Sequence, residues 1–420
     1  MADSQRLLPT TRTQVSGHRF MRRRVEHGLI YGDIRMIHDP LAARRRAAIF
    51  GLVAVVLIAG GCGLFAWLRP NPDPGSAGIL RASDGSLYVR VGEVIHPVTN
   101  LTSARLIVGG PDNPQRVGDE RLVAMQRGAP LGIASAPSMF AAGDSEDMSW
   151  SACVYAGRTT VVAGHAPRQF DNAEGVLVEV GEGETTTQWV LTSAGRASLP
   201  PASTPEGRVI RRGLGIDSTT PRLPMRKELL NTFTEAPPLT VPVPLPELLD
   251  TGDQAWAIAP NGGIQPVTET QREILTAAGA KVTRILRDQL ASYPDAQPPM
   301  QIDLPATRPQ WIDPKSTAVC ASESGASSRL RPEATTGGAM KLPGDAPADY
   351  FVGLAAGSVG ADTGYGYQVV SATGVRHKVD DRAALETVGA AHVEKVPWAI
   401  LALLPAGPDL TREVALTAVL

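Results

Sequence analysis

The 420-residue chain is poor in cysteine, lysine and aromatic residues. It has 3 cysteines, 6 lysines against 34 arginines and 5% aromatic residues, whereas glycine and proline together occupy 77 positions. This composition indicates many turns and short elements rather than long helices. Residues 69–420 carry 30 basic and 38 acidic side chains, so the larger part of the chain has no excess of positive charge. We therefore exclude nucleic acid as a partner.

Sequence motifs for catalysis or metal binding are also missing. No G-x-x-x-x-G-K-[ST] phosphate loop, G-x-S-x-G elbow, H-E-x-x-H pair or C-x-x-C pair occurs. The segment GGAMKLPG at residues 337–344 supplies glycine and lysine without the spacing of a phosphate loop. The sequence thus predicts no catalytic, cofactor-binding or metal-binding residues and no enzyme activity.

Long apolar runs are equally scarce, and the one that is present covers residues 47–68. These 22 residues carry no charge. As a helix they would span about 33 Å, enough to cross the roughly 30 Å hydrocarbon core of a membrane. Arg44–Arg46 precede the run and Arg69 follows it. The positive-inside rule therefore predicts a cytoplasmic N-terminus and a large region outside, in the periplasm.

The same run has a second interpretation, a signal peptide that is cleaved and lipidated at Cys62. The segment IAGGC has small residues before a cysteine, as such a cleavage site does. Against this, 46 residues precede the run, and the run itself is too long. Asp39 can cap a helix and Pro40 suits its first turn. We favour a retained single-pass anchor.

The segment before the span forms a basic, amphipathic arm. Met21, Val25 and Leu29 recur every four residues, and arginines cluster beside them. One interpretation is a helix lying on anionic lipid, and the other is a docking helix for a second membrane subunit. The sequence leaves both open. The residues predicted to make these contacts are Phe20, Met21, Arg22, Arg23, Arg24, Val25 and Leu29.

Outside the apolar run only Cys153 and Cys320 remain. Two thiols in an oxidising compartment most simply form one disulfide. Two unrelated buried thiols are the alternative. We favour the bridge, because free thiols outside the cytoplasm are uncommon.

A unit of about 40–50 residues recurs four times. Each copy has a strand-like start, a polar capping cluster, a short helix and then a second short helix. Thr99, Thr268 and Asp380 stand where a helix N-cap belongs. The second helices are DERLVAM, RKELLNTF, RILRDQLASY and WAILALLP. Because one such unit cannot bury its helical face alone, we expect the copies to pack on each other.

The predicted fold class is α+β, with one N-terminal transmembrane helix followed by an elongated periplasmic region of four ββαα-like repeats around a central β-rich domain. Strand-rich stretches between the repeats would form that domain, tied by Cys153 and Cys320. The predicted segments are an arm (1–46), the span (47–68), a strand leading into the first repeat (69–92), repeat 1 (93–132), the first part of the central module (133–194), repeat 2 (195–239), a proline-rich linker and strand (240–261), repeat 3 (262–300), the second part of the central module (301–373), repeat 4 (374–410) and a C-terminal end (411–420).

Two histidines occupy equivalent positions in the repeats. His96 lies in the first repeat and His377 in the fourth, while Gln265 takes the same place in the third. A metal ligand would not be exchanged for glutamine so readily. The pattern therefore favours a structural or surface role for both histidines.

Three stretches of the sequence resemble one family. They are VSGHRFMRRRVEHGLIYGDIRMIHDP, GSLYVRVGEVIHPVTNLTSARLIVG and VPWAILALLPAGPDLTREVAL. They are similar to EccB, the single-pass core subunit of mycobacterial type VII (ESX) secretion systems, and the similarity covers nearly the whole chain. The two cysteines outside the membrane match the paired cysteines of that family.

The resemblance implies a scaffolding subunit of an inner-membrane secretion complex. Its implied partners are the motor ATPase EccC, EccD, EccE, the MycP protease, other EccB copies and membrane lipid. A membrane-tethered peptidoglycan-binding module is the alternative, because the family's repeats are said to be similar to a cell-wall-binding subunit of a phage lysin. ATP hydrolysis, described for some members, is a distant third, since the phosphate loop is missing here.

Overall fold

A computed structural model describes residues 10–35, 40–68 and 73–419. The chain divides into two compact units, Met1–Pro72 and Asp73–Leu420. The predicted α+β class is confirmed, since the described part of the first unit contains two helices and that of the second contains five β-sheets with short helices. The proposed cap Asp39 and the flanking Arg69 lie outside the described residues.

The first unit consists of α1 (Arg12–Tyr31) and α2 (Pro40–Leu68). Helix α2 begins seven residues before the uncharged run, because proline suits a first helical turn and the following arginines are good helix formers. Within the described residues, the segment Ala43–Leu68 is long and apolar enough to cross a membrane. This agrees with the span predicted from the sequence.

The second unit begins with the first repeat, three strands of the central sheet and the second repeat. The first repeat contains β1 (Ile79–Arg81), β2 (Leu87–Val91), β3 (Val94–Pro97), α3 (Leu101–Val108), β4 (Gln115–Arg116) and α4 (Asp119–Ala124). The central strands are β5 (Trp150–Tyr155), β6 (Arg158–Ala163) and β7 (Arg168–Gln169). The second repeat contains β8 (Glu174–Val180), β9 (Thr187–Thr192), β10 (Gly195–Ser198), α5 (Pro205–Gly213), β11 (Arg222–Pro224) and α6 (Lys227–Leu230), with a 3-10 turn at Gly183–Thr185.

The rest of the unit repeats this order. The third repeat contains β12 (Leu248–Asp250), β13 (Ala255–Ile258), β14 (Ile264–Val267), α7 (Glu269–Ala277), β15 (Val282–Arg284) and a 3-10 helix (Arg287–Ser292). Next come β16 (Gln310–Trp311), β17 (Ala318–Ser322), β18 (Ser327–Leu330), α8 (Glu333–Thr336), β19 (Met340–Lys341) and β20 (Tyr350–Val352). The fourth repeat contains β21 (Val359–Asp362), β22 (Tyr367–Val370), β23 (Arg376–Val379), α9 (Arg382–Val388), β24 (Val393–Lys395) and α10 (Trp398–Leu401), and α11 (Arg412–Ala415) follows it.

The four repeats share one sheet topology. Their strand orders are β3-β2-β1-β4, β10-β9-β8-β11, β14-β13-β12-β15 and β23-β22-β21-β24. Three strands form an antiparallel meander, and the fourth pairs in parallel with the first. A parallel pair needs a crossover, which the first helix of each repeat supplies. Each repeat therefore has two more strands than the ββαα pattern predicts.

Each first helix is capped by a polar side chain that accepts a hydrogen bond from the backbone N–H three residues later. Thr268 caps α7 as predicted, and Gln271 completes a capping box. The predictions for Thr99 and Asp380 were wrong by one position, because the next residue adopts the extended conformation that the cap requires. The caps are Asn100, Thr204, Thr268 and Asp381.

The first and fourth repeats pack against each other although they are far apart in the chain. Helices α3 and α9 are in contact, and one apolar core includes side chains from both repeats. The Arg105 guanidinium donates to the carbonyl of Val388 (3.1 Å), and Arg412 donates to the carbonyl of Ile107 (3.0 Å). The pairing buries the helical face that neither repeat can cover alone.

The second and third repeats form the other pair. Helices α5 and α7 pack closely, and a β-carbon at Gly213 would lie 2.1 Å from Cγ1 of Ile274. Glycine therefore allows the close approach of the two helices. Their shared core contains buried leucine, valine and isoleucine side chains of both repeats.

The central sheet has the strand order β19-β20-β6-β5-β17-β18-β7, so it combines two separate parts of the chain. Its extent differs from the predicted central module. Strands β8 and β9 belong to the second repeat, and β21 and β22 belong to the fourth. Likewise, β1 and β2 lie in the first repeat and β12 and β13 in the third, outside the predicted limits. The sequence does not show which strand pairs with which, because pairing between distant segments decides it.

Candidate functional site

The N-terminal arm is a capped helix. The Thr11 hydroxyl accepts a hydrogen bond from the backbone N–H of Gln14 (3.3 Å), and the Gln14 side chain accepts one from the backbone N–H of Thr11 (2.9 Å). This capping box satisfies two N–H groups at the start of α1. At the other end, Gly32 adopts a φ of 70° and its N–H donates to Gly28. Both ends of the predicted helix are thus defined by local sequence.

The apolar residues predicted for the arm form an exposed stripe. Leu29 is 82% exposed, and Val25 and Met21, one and two turns earlier, are also exposed. Phe20 is exposed as well. Such side chains on a helix indicate a surface that lipid or another protein covers. We call this set (Phe20, Met21, Val25 and Leu29) the apolar stripe.

The predicted arginines lie on the same helix in different surroundings. Arg22 pairs with Glu26 one turn later (3.0 Å), and both side chains are exposed. Arg23 is exposed, and Arg24 is half-buried. An exposed pair at this spacing contributes only about 0.3–0.5 kcal/mol, so the Arg22–Glu26 pair adds little to the stability of the helix.

The sequence did not predict the turn that follows α1, in which residues 32–35 contact the end of the helix. His27 Nδ1 lies 2.9 Å from the carbonyl oxygen of Asp33, and the His27 side chain is buried. A β-carbon at Gly28 would lie 2.8 Å from Cγ2 of Ile34. Ile30 at the end of α1 and Ile34 just after the helix are exposed apolar residues. Neither residue falls on the four-residue spacing of Met21, Val25 and Leu29, so that spacing did not indicate them.

The structure joins Cys153 to Cys320 in a disulfide. The two residues are directly opposite each other on β5 and β17, with their Cα atoms 4.0 Å apart, and both are fully buried. The bond closes a loop across 167 residues of sequence. The second and third repeats both lie between β5 and β17 in the chain. The disulfide therefore links the two strands at which this long segment leaves and rejoins the central sheet. Cys62 of α2 is a free, exposed thiol.

His96 and His377, which occupy equivalent positions in the first and fourth repeats, each contact a backbone carbonyl oxygen. Nδ1 of His96 lies 2.9 Å from the carbonyl oxygen of Ala129, and Nδ1 of His377 lies 2.9 Å from that of Pro408. Gln265 makes the equivalent contact with Met300, donating to its carbonyl (2.9 Å) and accepting from its N–H. Burial lowers the pKa of His377, so the neutral ring is favoured. These contacts agree with the structural role inferred from the sequence.

A buried polar cluster joins the central sheet to the fourth repeat. The indole N–H of Trp150 on β5 donates to the carboxylate of Glu394 on β24, and Nε2 of His392 lies 3.2 Å from its other oxygen. Trp150 and Glu394 are almost fully buried. Desolvation raises the pKa of the Glu394 carboxyl, although Trp150 and His392 oppose the shift. No local sequence pattern indicates this cluster, because Trp150 and Glu394 are 244 residues apart.

A metal-binding group of three or more histidine, cysteine or acidic side chains is absent from the described ranges 10–35, 40–68 and 73–419. The glycine–lysine segment at 337–344 contains strand β19, whose Lys341 pairs with Tyr350 of β20. A phosphate loop instead places its glycines between a strand and the N-terminus of a helix. The segment therefore does not have the geometry of a nucleotide cradle.

The chain matches the family described as "Type VII secretion system ESX-1, transport TM domain B" over residues 7–246 and 343–419. It is 33% identical to the ESX-3 secretion system ATPase EccB3 of Mycolicibacterium smegmatis, covering 97% of this chain and 90% of that protein. It is 29% identical to the ESX-1 secretion system ATPase EccB1 of Mycobacterium tuberculosis, covering 97% and 94%.

Solved structures show the same fold. One chain of an intact ESX-5 inner membrane complex has a TM-score of 0.66 at 26% identity and is matched over 99% of this chain and 97% of its own length. An EccB3 dimer from the ESX-3 core complex has a TM-score of 0.66 at 25% identity, with 81% and 100% covered. By sequence and fold, the chain belongs to the EccB family of type VII secretion systems.

Proposed function

We propose that this chain is a structural subunit of a type VII secretion complex, anchored in the inner membrane by α2. The observation that supports this most strongly is the match to a chain of an ESX-5 inner membrane complex over 99% of the present chain. That match includes the apolar helix as well as the repeats. In this role the chain would position other subunits and provide surfaces for their contact.

We further propose that the N-terminus lies in the cytoplasm and the repeats lie in the periplasm. Arg44–Arg46 at the N-terminal side of the uncharged run support this orientation. The Cys153–Cys320 disulfide supports it independently, because disulfides persist in oxidising compartments. A reporter that is active only outside the cytoplasm should be active when fused after Arg69. A mature protein that starts at Cys62, or carries lipid there, would contradict the retained anchor.

The proposed partners are the motor ATPase EccC, EccD, EccE, the MycP protease and other EccB copies. The exposed apolar stripe and the arginines of α1 would contact EccC or EccD together with lipid. A dimer of the relative EccB3 supports contacts between copies. We propose that this chain does not hydrolyse ATP. Its glycine- and lysine-containing segment at 337–344 contains strand β19 and does not form a phosphate-binding loop.

The test is purification of the tagged full-length chain from its own cells in a gentle detergent, followed by mass spectrometry. We expect EccC, EccD and EccE to co-purify with it. Purified peptidoglycan serves as a second arm, since a wall-binding module would sediment with it. Recovery of the chain free of other secretion subunits would contradict the scaffold role.

A further inference from the structure

The fourth repeat contains a cavity of about 860 Å³ beside the turn that joins β21 to β22. Its lining comes from that turn, from the end of β23 and from the start of α10. The volume is within the range of small-molecule binding sites. We call this cavity the aromatic cleft and define it by five of its lining residues, Tyr365, Tyr367, Lys378, Asp380 and Trp398.

In two other repeats a hydrogen bond closes the corresponding place. A side chain of the turn between the first two strands contacts the residue that begins the second helix. In the third repeat the Arg287 guanidinium donates to the Asp253 carboxylate. In the first repeat the Ser83 hydroxyl donates to the Asp119 carboxylate (2.6 Å). In both repeats the turn is therefore fastened to the start of the second helix.

The fourth repeat has aromatic side chains at the same two positions. The first strand ends at an aspartate in both the third and the fourth repeat, and three residues later stand Asp253 and Tyr365, respectively. The second helix begins at Arg287 in the third repeat and at Trp398 in the fourth, three residues after the end of the fourth strand in each. Two rings thus replace an ion pair. Among the described residues, the Thr363 hydroxyl and the Tyr365 N–H form their hydrogen bonds within the turn.

The rings of the cleft are accessible and suited to a cation. Tyr365 is 91% exposed at the tip of its turn, and Trp398 is 38% exposed. The Arg376 guanidinium lies 4.8 Å from the centre of the Trp398 ring, so this indole already contacts one arginine of its own chain. Because the faces of aromatic rings carry negative potential, they attract cations and disfavour carboxylates.

The charged side chains of the cleft are not paired with each other. In the part of the chain that the structure describes, neither the Asp380 carboxylate nor the Lys378 ammonium forms an ion pair. A guanidinium would use the rings and Asp380 together, because it is planar, stacks on aromatic faces and pairs with carboxylates. An acidic ligand would use Lys378 alone. The combination of rings and carboxylate therefore favours a guanidinium.

We propose that the aromatic cleft binds an arginine side chain of a partner protein. The guanidinium would stack on Tyr365 or Trp398 and pair with Asp380, in the place that the chain's own Arg287 closes in the third repeat. The inference rests on the scaffold role for the existence of a partner, and it adds the chemistry of one contact. Binding of a short peptide needs no other subunit, so its failure is distinct from a failure of co-purification.

The test measures binding of acetyl-Gly-Arg-Gly-amide to the detergent-purified full-length chain by saturation-transfer NMR. The same peptide with citrulline, which is neutral and of similar shape, or with leucine is the ligand control. We expect saturable binding that is tightest for arginine. Asp380→Asn should raise Kd about 3-fold, because it removes one exposed charge pair. Asp345→Asn, which changes an exposed carboxylate outside the cleft, should leave Kd unchanged.

A second variant introduces the ion pair of the third repeat into the fourth. Tyr365→Asp together with Trp398→Arg places an acid on the turn and an arginine at the start of α10, as Asp253 and Arg287 are placed in the third repeat. We expect this variant to lose binding of the arginine peptide, because its own arginine occupies the cleft. Thermal melting by circular dichroism verifies that each variant folds.

Three results would overturn the proposal. The first is equal binding of the arginine and citrulline peptides to the wild-type chain, since charge would then not be recognised. The second is tighter binding of the leucine peptide, which would make the cleft a site for an apolar segment. The third is equal weakening by Asp380→Asn and Asp345→Asn, which would place the peptide elsewhere.

Discussion

Leu29 and Leu385 lie on amphipathic helices in the two units of the chain, and their surroundings differ completely. Leu29 of α1 is 82% exposed, whereas Leu385 of α9 is fully buried against the first repeat. The uncharged run of α2 is exposed throughout, while the repeats bury their apolar side chains in pairs. The C-terminal unit therefore covers its own apolar surface. In the N-terminal unit the apolar side chains of α1 and α2 remain exposed, and we propose that lipid or another subunit covers them.

The largest expected effect comes from the same substitution in the two units. Leu385→Asp places a charge in the core shared by the first and fourth repeats, and we expect it to cost more than about 4 kcal/mol and to prevent stable folding. Leu29→Asp should leave thermal melting of the C-terminal unit unchanged. Circular dichroism melts and protease resistance measure both. Equal destabilisation by the two variants would contradict the difference in burial between Leu29 and Leu385.

The disulfide gives the next largest effect. Replacing Cys153 or Cys320 by serine removes a cross-link that closes a long loop, and we expect a loss of about 2–5 kcal/mol in the free energy of unfolding. Cys62→Ser in α2 is the matched control and should not change that free energy. Urea unfolding without reductant measures the difference. If the serine variants unfold at the wild-type urea concentration, the disulfide does not hold the central sheet together.

The buried carboxyl of Glu394 gives a smaller, pH-dependent effect. Its pKa is raised by burial, so the folded state binds more protons than the unfolded state between the two pKa values. Stability from this group is present at low pH and is lost as pH rises through that window. Glu394→Gln should therefore gain stability relative to wild type as pH rises. Urea unfolding across the acidic to neutral range measures the gain.

The exposed Glu26 of α1 is the control for that experiment. Because its side chain is 50% exposed in a surface pair with Arg22, Glu26→Gln should change the free energy of unfolding by less than about 0.5 kcal/mol at any pH. A wild-type and a Glu394→Gln curve that stay parallel over the whole range would show that Glu394 is not protonated preferentially in the fold.

Features set by neighbouring residues could be predicted from the sequence. The apolar run, the four-residue spacing of Met21 and Val25 and the Thr268 cap each depend on a few consecutive positions. The positions of the second helix in each repeat were also predicted, because they depend on consecutive residues. In the third repeat this helix is a 3-10 helix at Arg287–Ser292. The recurrence of the unit was visible because the same local order returns four times.

Features that depend on distant contacts could not be predicted. The fourth strand of each repeat is only two or three residues long and is defined by pairing with the first strand. The packing of the first repeat on the fourth joins Arg105 to Val388, and no local pattern indicates it. The aromatic cleft has the same origin, since Tyr365 and Trp398 come from separate elements.

The most direct test of the central claim is co-purification of EccC with a chain that carries Val25→Asp together with Leu29→Asp. Every arginine of the arm and the whole of α2 stay in place, so the protein should still insert in the membrane. A scrambled arm of equal charge and amphipathicity is the control. If the arm docks another subunit through its exposed apolar stripe, both variants remain in the membrane, both lose EccC and secretion stops. Full assembly and secretion with the scrambled arm would contradict specific docking and leave lipid as the only partner of the arm.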